Sequence, residues 1–177
     1  RSEVFGMRSI AADGNRLLVN GTPAFMRGTL ECCIFPLTGY PPTDPEGWEK
    51  VFRTAKEWGL NHLRFHSWCP PKAAFEVADR LGMYLPVWTL NIGADSLATA
   101  FMYEEGERML AAYGNHPSFC FMSLGNELQP DFGVLNAMRS HFQRIDPRRL
   151  YTASSFTFEK GHGVWPEPGD DFYVTQW

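Results

Sequence analysis

Apolar residues in the middle of the chain recur with the spacing of one helix face, and short apolar runs separate these stretches. The first helical stretch can be capped by Asp44, with Pro45 at its first position, and Gly59 is placed to end it. Its apolar face comprises Trp48, Val51, Phe52 and Ala55. Because residues three and four positions apart share a helix face, this spacing predicts a helix.

Three more helices are predicted further along the chain. They span 70–82, where prolines open the helix, about 96–113, and a stretch from Asp131 whose apolar stripe is Val134, Leu135, Met138, Phe142 and Ile145. Six strand-like runs flank the helices: AFMRGTLECCIF, HLRFHSW, MYLPVWTL, FCFMSL, RLYTASSF and FYVTQW. Strands that alternate with helices of this length predict parallel βα units.

The first 23 residues follow a different pattern, with turn dipeptides at Asp13-Gly14 and Asn20-Gly21 between short apolar stretches. Such dipeptides are hairpin signals. We therefore expect residues 1–23 to form a β-hairpin that leads in from a preceding domain.

A doubly wound open sheet and a (β/α)8 barrel both fit the alternating part of the chain. No glycine-rich phosphate loop follows the first strand, which counts against a nucleotide-binding sheet. Polar residues stand instead at strand ends, where a barrel builds its active site. The predicted fold class is therefore α/β, a (β/α)8 TIM barrel present only in part. Residues 24–177 would form its N-terminal three-quarters, with about six of the eight strands.

Composition narrows the class of partner. The net charge is −4 and no basic run is present, so the electrostatic pattern of a nucleic-acid binder is missing. No run reaches the roughly 18 apolar residues of a membrane span. Aromatic residues make up 15% of the chain, and their flat rings can stack on the apolar face of a sugar. The four cysteines lack zinc spacing, so we expect buried thiols, no metal site and no cofactor.

The run FCFMSLGNE carries the main candidate chemistry. Its apolar part is typical of a strand buried on both faces, and it ends at Asn126 and Glu127. A protonated glutamic acid at a barrel rim can give its proton to a glycosidic oxygen and later, as a carboxylate, activate water. A neighbouring asparagine can hydrogen-bond to a sugar hydroxyl without adding charge. The structural alternative is that Glu127 caps the next helix or pairs with an arginine.

A second stretch, NHLRFHSWCPP, places His62, Arg64, His66 and Trp68 on one face of a strand, because side chains alternate. His62 and His66 would lie roughly 13 Å apart, too far to hold one metal. Arg64 inside a buried strand is costly unless it is paired, so it predicts an acidic partner inside the barrel. The alternatives are a structural ion pair for Arg64 and a satisfied core histidine for His66.

Three more residues are expected to contact a substrate. Glu31 lies near the end of the first strand, before a loop rich in proline and tyrosine that could wall a cleft or merely link strand to helix. Trp88 and Trp177 fall at later strand ends, where each could be a stacking platform or a packing residue.

Together these stretches resemble the catalytic domain of glycoside hydrolase family 2, the family of β-galactosidases, β-glucuronidases and β-mannosidases. The resemblance covers nearly the whole chain. FGMRSIAADGNRLLVNGTPAFMRG is similar to the family's lead into its barrel, and GLNHLRFHSWCPPKAAFEVADRLGMYL is similar to its second strand, helix and third strand. NHPSFCFMSLGNE resembles its fourth strand, where an Asn-Glu pair carries the acid/base.

The resemblance implies a glycosidase that hydrolyses terminal β-linked sugars by a retaining double displacement. It implies that Glu127 is the general acid/base, that Asn126 contacts the sugar's 2-hydroxyl and that Arg64 holds the nucleophilic carboxylate. In the family that nucleophile stands at the end of the seventh strand. Six strands are predicted here, so no residue of this chain is assigned as the nucleophile.

Three positions that line the family's sugar pocket depart from its usual pattern. Many members have a histidine where this chain has the run TLECC at 29–33. His66-Ser67 replaces a more usual Ser-His order, and Trp88 replaces an acidic residue. Substrate identity is therefore the least transferable part of the resemblance.

The expected partner is a carbohydrate, an oligosaccharide or polysaccharide, with no nucleic acid and no membrane. The chain starts at Arg1 rather than Met and is expected to be an inactive piece of a longer protein, separated from β-sandwich and C-terminal barrel segments. A periplasmic or extracellular location is slightly favoured over a cytoplasmic one. One alternative is a non-catalytic carbohydrate-binding TIM barrel. A metal-dependent barrel hydrolase would need a His-x-His pair or a carboxylate–histidine cluster, and neither is evident.

Overall fold

A computed structural model describes residues 4–88, 96–128, 131–155 and 167–174 and shows strands and helices in alternation. The strands are β1 (Ile10–Asp13), β2 (Arg16–Val19), β3 (Thr22–Ala24), β4 (Gly28–Glu31), β5 (His62–Phe65), β6 (Leu85–Trp88), β7 (Phe119–Ser123) and β8 (Leu150–Thr152). The helices are α1 (Pro45–Glu57), α2 (Lys72–Leu81), α3 (Ser96–Tyr113) and α4 (Phe132–Ile145).

The first three strands form an antiparallel meander in the order β1-β2-β3. Its second turn is built by Asn20 and Gly21, which have φ angles of 50° and 76°. Two successive positive φ angles are the signature of a type I′ turn, whose twist matches that of the flanking strands. The Asn-Gly dipeptide therefore gives the turn that the sequence predicts.

The remaining strands are parallel and follow one another in chain order. β4 pairs with β5, and β6, β7 and β8 pair in that order. A parallel bridge between His62 and Tyr84 joins the two sets, and the Tyr84 backbone N–H donates to the Asn61 carbonyl at 2.8 Å. Helices α1 to α4 occupy the connections that follow β4, β5, β6 and β7. The α/β class with parallel strands is confirmed.

The predicted sixth strand of this series is not formed at 172–174, the part of it that the structure describes. Side chains already occupy the outer edge of β8. The Tyr151 backbone N–H donates to the Asp171 carboxylate at 2.9 Å, and that of Ala153 donates to Asp170 at 2.8 Å. These are the edge groups that another strand would need.

Local capping determines where the helices begin. The Asp44 carboxylate accepts from the Gly47 backbone N–H at 2.9 Å, and that of Asp131 accepts from Gly133 at 2.7 Å. Each bond satisfies one of the first backbone donors of a helix, which have no partner within it. Both helix starts are as the sequence predicts.

Two apolar clusters cover the two faces of the parallel strands. The larger one lies between the strands and the helices and includes Trp48, Phe52 and Phe142, all completely buried. The smaller one packs β7 and β8 against the meander, with Phe121 among its buried members. All five residues of β7 are buried, as expected for a strand covered on both faces.

Arg8 fixes the meander to the start of β7 and β8. Its guanidinium donates to the carbonyls of Pro117 at 3.1 Å, Phe119 at 2.8 Å and also Arg148. The segment that leads into the meander is therefore attached at the N-terminal ends of these two strands. No helix in the described part of the chain is long and apolar enough to span a membrane.

Candidate functional site

Asn126 lies at the centre of a polar cluster at the C-terminal ends of β5, β7 and β8. Its side-chain oxygen accepts a hydrogen bond from the Arg64 guanidinium at 2.6 Å and another from the Ser155 hydroxyl at 2.8 Å. These two donors fix the amide orientation, so that Nδ2 is its donor end. Parallel strands bring their C-terminal ends to one edge, which explains how residues so distant in sequence meet.

Arg64 is the buried cation of this cluster, with 7% of its surface exposed. Burial lowers its pKa to about 10, while the ionised forms of Cys32 and Glu127 act in the opposite direction. The guanidinium is therefore still protonated at neutral pH. The sequence predicts an acidic partner for Arg64. The structure places the Asn126 amide in direct contact and the Glu127 carboxylate within electrostatic range.

Glu127 follows Asn126 in a strained backbone conformation, with a φ of 52°. A non-glycine residue in the left-handed region costs about 1–3 kcal/mol and persists only where neighbours enforce it. Here the Glu127 backbone N–H donates to the Ser155 hydroxyl at 3.0 Å, and the next N–H, of Leu128, donates to Ser154 at 3.0 Å. The two hydroxyls therefore stabilise the turn in which the half-buried Glu127 lies.

Ser154 and Ser155 are site residues that the sequence reasoning missed. Both are 4% exposed and follow β8 directly. The signal that could have found them is the one that singled out Asn126, namely polar residues just after a buried parallel strand.

His66 lies near the same charges. Burial lowers its pKa, the positive charge of Arg64 lowers it further, and Glu127 partly opposes both. The imidazole is therefore neutral at pH 7. Its backbone N–H donates to the Glu31 carbonyl at 2.8 Å, which ties the end of β5 to β4.

Trp68 does not share the face of Arg64, and that prediction is wrong. Its ring lies 5.2 Å from that of Phe65 and 6.1 Å from that of Trp48, on the helix side of the strands. The reason is Ser67, whose φ of 61° ends the alternation of side chains on which the prediction relied. Trp68 is thus placed as a packing residue.

Glu31 also faces away from Arg64. In the register of β4 and β5, Leu30 lies opposite Arg64 and Glu31 lies opposite Phe65. The Glu31 carboxylate accepts from the Cys33 backbone N–H at 3.1 Å through each oxygen, and burial raises its pKa. The structure therefore does not bring Glu31 together with Asn126.

Trp88 and Trp177 are the two other predicted contacts. Trp88 ends β6, but its side chain lies outside the described part of the chain, as does the whole of Trp177. His62 lies at the start of β5, where burial and then the charge of Arg64 lower its pKa to about 4. It packs edge-on against Phe121 at 5.7 Å and is a core histidine.

Two of the four cysteines differ from the prediction of buried thiols. Cys32 and Cys33 are exposed at the end of β4, Cys69 is partly buried and Cys120 is buried. Among the described residues, no group of three or more His, Cys, Asp or Glu side chains is arranged to hold a metal ion.

Comparison with known proteins gives the following similarities. No protein-family model matches the chain. A β-galactosidase of Aeromonas hydrophila is 29% identical over 157 residues, covering 81% of this chain and 15% of that protein. A β-glucuronidase from Ruminococcus gnavus, solved in complex with D-glucaro-1,5-lactone, superposes with a TM-score of 0.79 and 21% identity over 96% of this chain and 31% of its own. A glycosyl hydrolase family 2 member from Bacteroides cellulosilyticus superposes with a TM-score of 0.75 and 22% identity. The match covers 85% of this chain and 21% of that protein.

These similarities confirm the resemblance to glycoside hydrolase family 2 enzymes. The curated relatives are two β-galactosidases and an exo-β-D-glucosaminidase, and the chain spans between 13% and 15% of their length. The chain is therefore similar to a small part of much longer glycosidases.

Proposed function

We propose that this glycoside hydrolase family 2-like domain supplies the acid/base half of the active site of a retaining β-glycosidase. The observation that carries the proposal is the cluster of Arg64, Asn126 and Glu127, which gathers a cation, an amide and a carboxylate at one edge of the parallel strands. Glu127 belongs to this cluster in a left-handed backbone conformation, which the Ser155 and Ser154 hydroxyls support.

Glu127 acts as a general acid in the first step and gives its proton to the leaving glycosidic oxygen. In the second step the same group, now a carboxylate, takes a proton from the attacking water. The nucleophilic carboxylate comes from a later part of the parent chain, and retaining enzymes place it about 5–5.5 Å from the acid/base.

Arg64 and Asn126 position the reacting groups. The buried guanidinium is a fixed positive charge that holds the incoming nucleophile in its ionised form. The donor end of the Asn126 amide hydrogen-bonds to a sugar hydroxyl, in an orientation set by Arg64 and Ser155. We keep His66, Trp88 and Trp177 as predicted contacts to the sugar.

The parallel strands β4 to β8 are then the first five strands of a (β/α)8 barrel, with the meander as the lead-in from a preceding domain. Open edges support this view, because β4 has a single neighbour, β5, among the described residues. A partner strand from the rest of the parent chain closes the ring there.

The test uses the intact protein that contains this chain and a panel of 4-nitrophenyl glycosides. The relatives differ in the sugar that they are named for, so the panel includes β-galactoside, β-glucuronide and β-glucosaminide, and the resemblance to the family adds β-mannoside. We expect one of them to be hydrolysed, with the β-anomer as the first product by NMR. An α-anomer as first product would exclude the retaining mechanism. Sugar binding without any turnover would favour a non-catalytic carbohydrate-binding barrel.

Ser155 is expected to position the acid/base. Replacing it by alanine removes a donor to Asn126 and the acceptor of the Glu127 backbone N–H. We expect kcat/KM of the intact enzyme to fall about fivefold, since the loss of a hydrogen bond costs on the order of 1 kcal/mol. Ser155→Thr keeps the hydroxyl and should retain most of the activity. Equal activity of the alanine variant and the wild type would show that the turn does not depend on Ser155.

A further inference from the structure

We propose that an anion-binding site lies at the N-terminal ends of β7 and β8, where Arg8 and Arg148 hold a phosphate group. The site is separate from the candidate active site, because Asn126 and Glu127 follow the opposite, C-terminal end of β7. The inference therefore does not depend on whether the protein is a glycosidase.

A cavity of about 260 Å³ lies between the segment that precedes β1 and the loop that joins α3 to β7. Liquid water takes about 30 Å³ per molecule, so the cavity has room for a tetrahedral oxyanion together with some water. None of the described residues that line the cavity is acidic. They are Phe5, Gly6, Arg8, Gly114, Asn115, His116, Pro117 and Arg148.

Two glycines show that the walls of this cavity are closely packed. A Cβ atom at Gly6 would lie 2.3 Å from Cγ of Pro117, and one at Gly114 would lie 2.7 Å from Nη2 of Arg148. Side chains at these two positions would therefore collide with the opposite wall. The packing holds the walls in place, so the cavity is preformed.

Both arginines keep hydrogen-bond donors for a ligand. Arg8 donates once from each guanidinium nitrogen, to the carbonyls of Pro117, Arg148 and Phe119. Arg148 donates from Nε and Nη2 to Asp146 at 2.8 Å and 2.7 Å, and from Nη1 to Asn115 at 3.1 Å. Because each terminal nitrogen of a guanidinium carries two hydrogens, a second N–H remains on each of them. Such forked donors match the oxygens of a phosphate group.

Positive charge exceeds negative charge in this region. The carboxylate of Asp146 pairs with both Arg148 and Arg149, at 2.7 Å and 2.6 Å. Arg8 belongs to none of the ion pairs that the described residues form, since its guanidinium bonds only to carbonyls. Three guanidinium groups therefore share one carboxylate, and a bound anion would compensate the excess.

The electrostatic environment of Arg8 agrees with this count. Burial is the main cause that lowers its pKa, and the positive charges of Arg149 and Arg148 lower it further. The ionised forms of Cys120 and Asp146 act in the opposite direction. A phosphate group beside Arg8 would counter both the desolvation and the repulsion between the arginines.

Asp79 is the acidic residue on the other side of the loop, and its carboxylate is already bound there. Its Oδ2 lies 2.6 Å from His116 Nδ1, and its Oδ1 accepts from the Ser118 backbone N–H at 2.9 Å. Because a carboxylate only accepts, Nδ1 is the donor end of the His116 ring. Asp79 therefore does not neutralise Arg8 or Arg148.

Isothermal titration calorimetry of the intact protein with sodium phosphate tests the site. The buffer is phosphate-free and near neutral pH, and sodium chloride keeps the ionic strength constant, so that unspecific attraction to positive charge does not change. We expect saturable binding of phosphate by the wild type. No saturable binding would overturn the proposal.

A pair of arginine variants locates the bound phosphate. Arg148→Ala should bind at least about tenfold more weakly, because it loses charge-assisted hydrogen bonds. Arg108→Ala is the matched control, because Arg108 is also an exposed arginine paired with a carboxylate, that of Glu104 at 2.5 Å, but lies away from the cavity. Its affinity should equal that of the wild type. Phosphate bound near Arg64 would not respond to Arg148→Ala, so unchanged binding by that variant, or equal losses in both variants, would overturn the proposal.

Glycerol 3-phosphate, titrated in the same way, distinguishes an esterified phosphate group from the free ion. Dependence of either ligand on Arg148 supports the site, and the ligand that binds more tightly identifies the form that the cavity prefers. Circular dichroism checks that the variants are folded, and the wild-type titration needs no variant at all.

Discussion

Replacement of Glu127 by glutamine in the intact enzyme is expected to lower kcat for an unactivated β-glycoside by about 100- to 10,000-fold, the usual contribution of a general acid. Glutamine keeps the size and the hydrogen-bonding capacity of the side chain but has no proton to give. The loss should be much smaller for a 2,4-dinitrophenyl glycoside, because that leaving group departs without protonation. Steady-state kinetics on the two substrates measure the difference directly.

The second half of the reaction gives an independent check on the same variant. Attack by water requires a base, whereas azide is already an anion and does not. Added azide should therefore speed up the Glu127→Gln enzyme on the activated substrate and leave the wild type unaffected. Glu57→Gln is the matched control, because Glu57 is exposed at the end of α1. Full activity of the Glu127 variant on an unactivated substrate would remove this residue from the acid/base role.

Features decided within a few neighbouring residues could be predicted from the sequence. Asp44 and Asp131 cap their helices, and the third helix has the bounds at which its pattern starts and stops, Ser96–Tyr113. The order of the parallel strands also follows from the alternation of strands and helices. The contact between Arg64 and Asn126 follows from the same arrangement, because parallel strands end at the same edge of the sheet.

Features that depend on one unusual backbone angle could not be predicted. Counting side chains along a strand assumes that every residue is extended, and Ser67 is not. This single residue moves Trp68 to the helix side. Glu127 has the same left-handed conformation. The serines that stabilise it cannot be distinguished in the sequence from other loop serines.

Whether a residue at the edge of the sheet is exposed depends on segments of the protein that are far from it in sequence. Cys32 and Cys33 lie in a strand-like run and lack zinc spacing, and the prediction of buried thiols relied on these two features. Burial also needs a covering element on each side, and β4 has none beyond β5 in the described part of the chain. A local pattern cannot show whether that cover is present.

Loss of the Asp146 carboxylate is expected to destabilise the fold by about 3–5 kcal/mol, since it leaves a buried charge unpaired. The Arg149 side chain is 0% exposed and donates to Asp146 at 2.6 Å. It also donates to the carbonyls of Phe119 at 2.9 Å and Gly114 at 3.1 Å, so it fastens β8 to the start of β7 and the end of α3. Urea unfolding of Asp146→Ala at pH 7 measures the loss.

Arg148 provides the matched control, because it binds the same carboxylate from a side chain that is 53% exposed. An exposed ion pair contributes about 0–1 kcal/mol, so Arg148→Ala should cost far less than Asp146→Ala. Equal losses for Asp146→Ala and Arg148→Ala would show that burial of Arg149 does not set the cost.

The contribution of Asp146 should also depend on pH in a defined direction. Burial alone would raise its pKa, but hydrogen bonds from Arg148 and the charge of Arg149 together outweigh burial and lower it below the ordinary value of 3.8. A carboxylate with a lowered pKa stabilises the folded state fully above its unfolded-state pKa, and the effect is lost as the pH falls through the folded-state pKa. The difference in unfolding free energy between wild type and Asp146→Ala should therefore be constant from about pH 5 to 8 and shrink below about pH 4. A difference that stays constant down to pH 2 would mean that the ionised form of Asp146 is not what stabilises this end of the sheet.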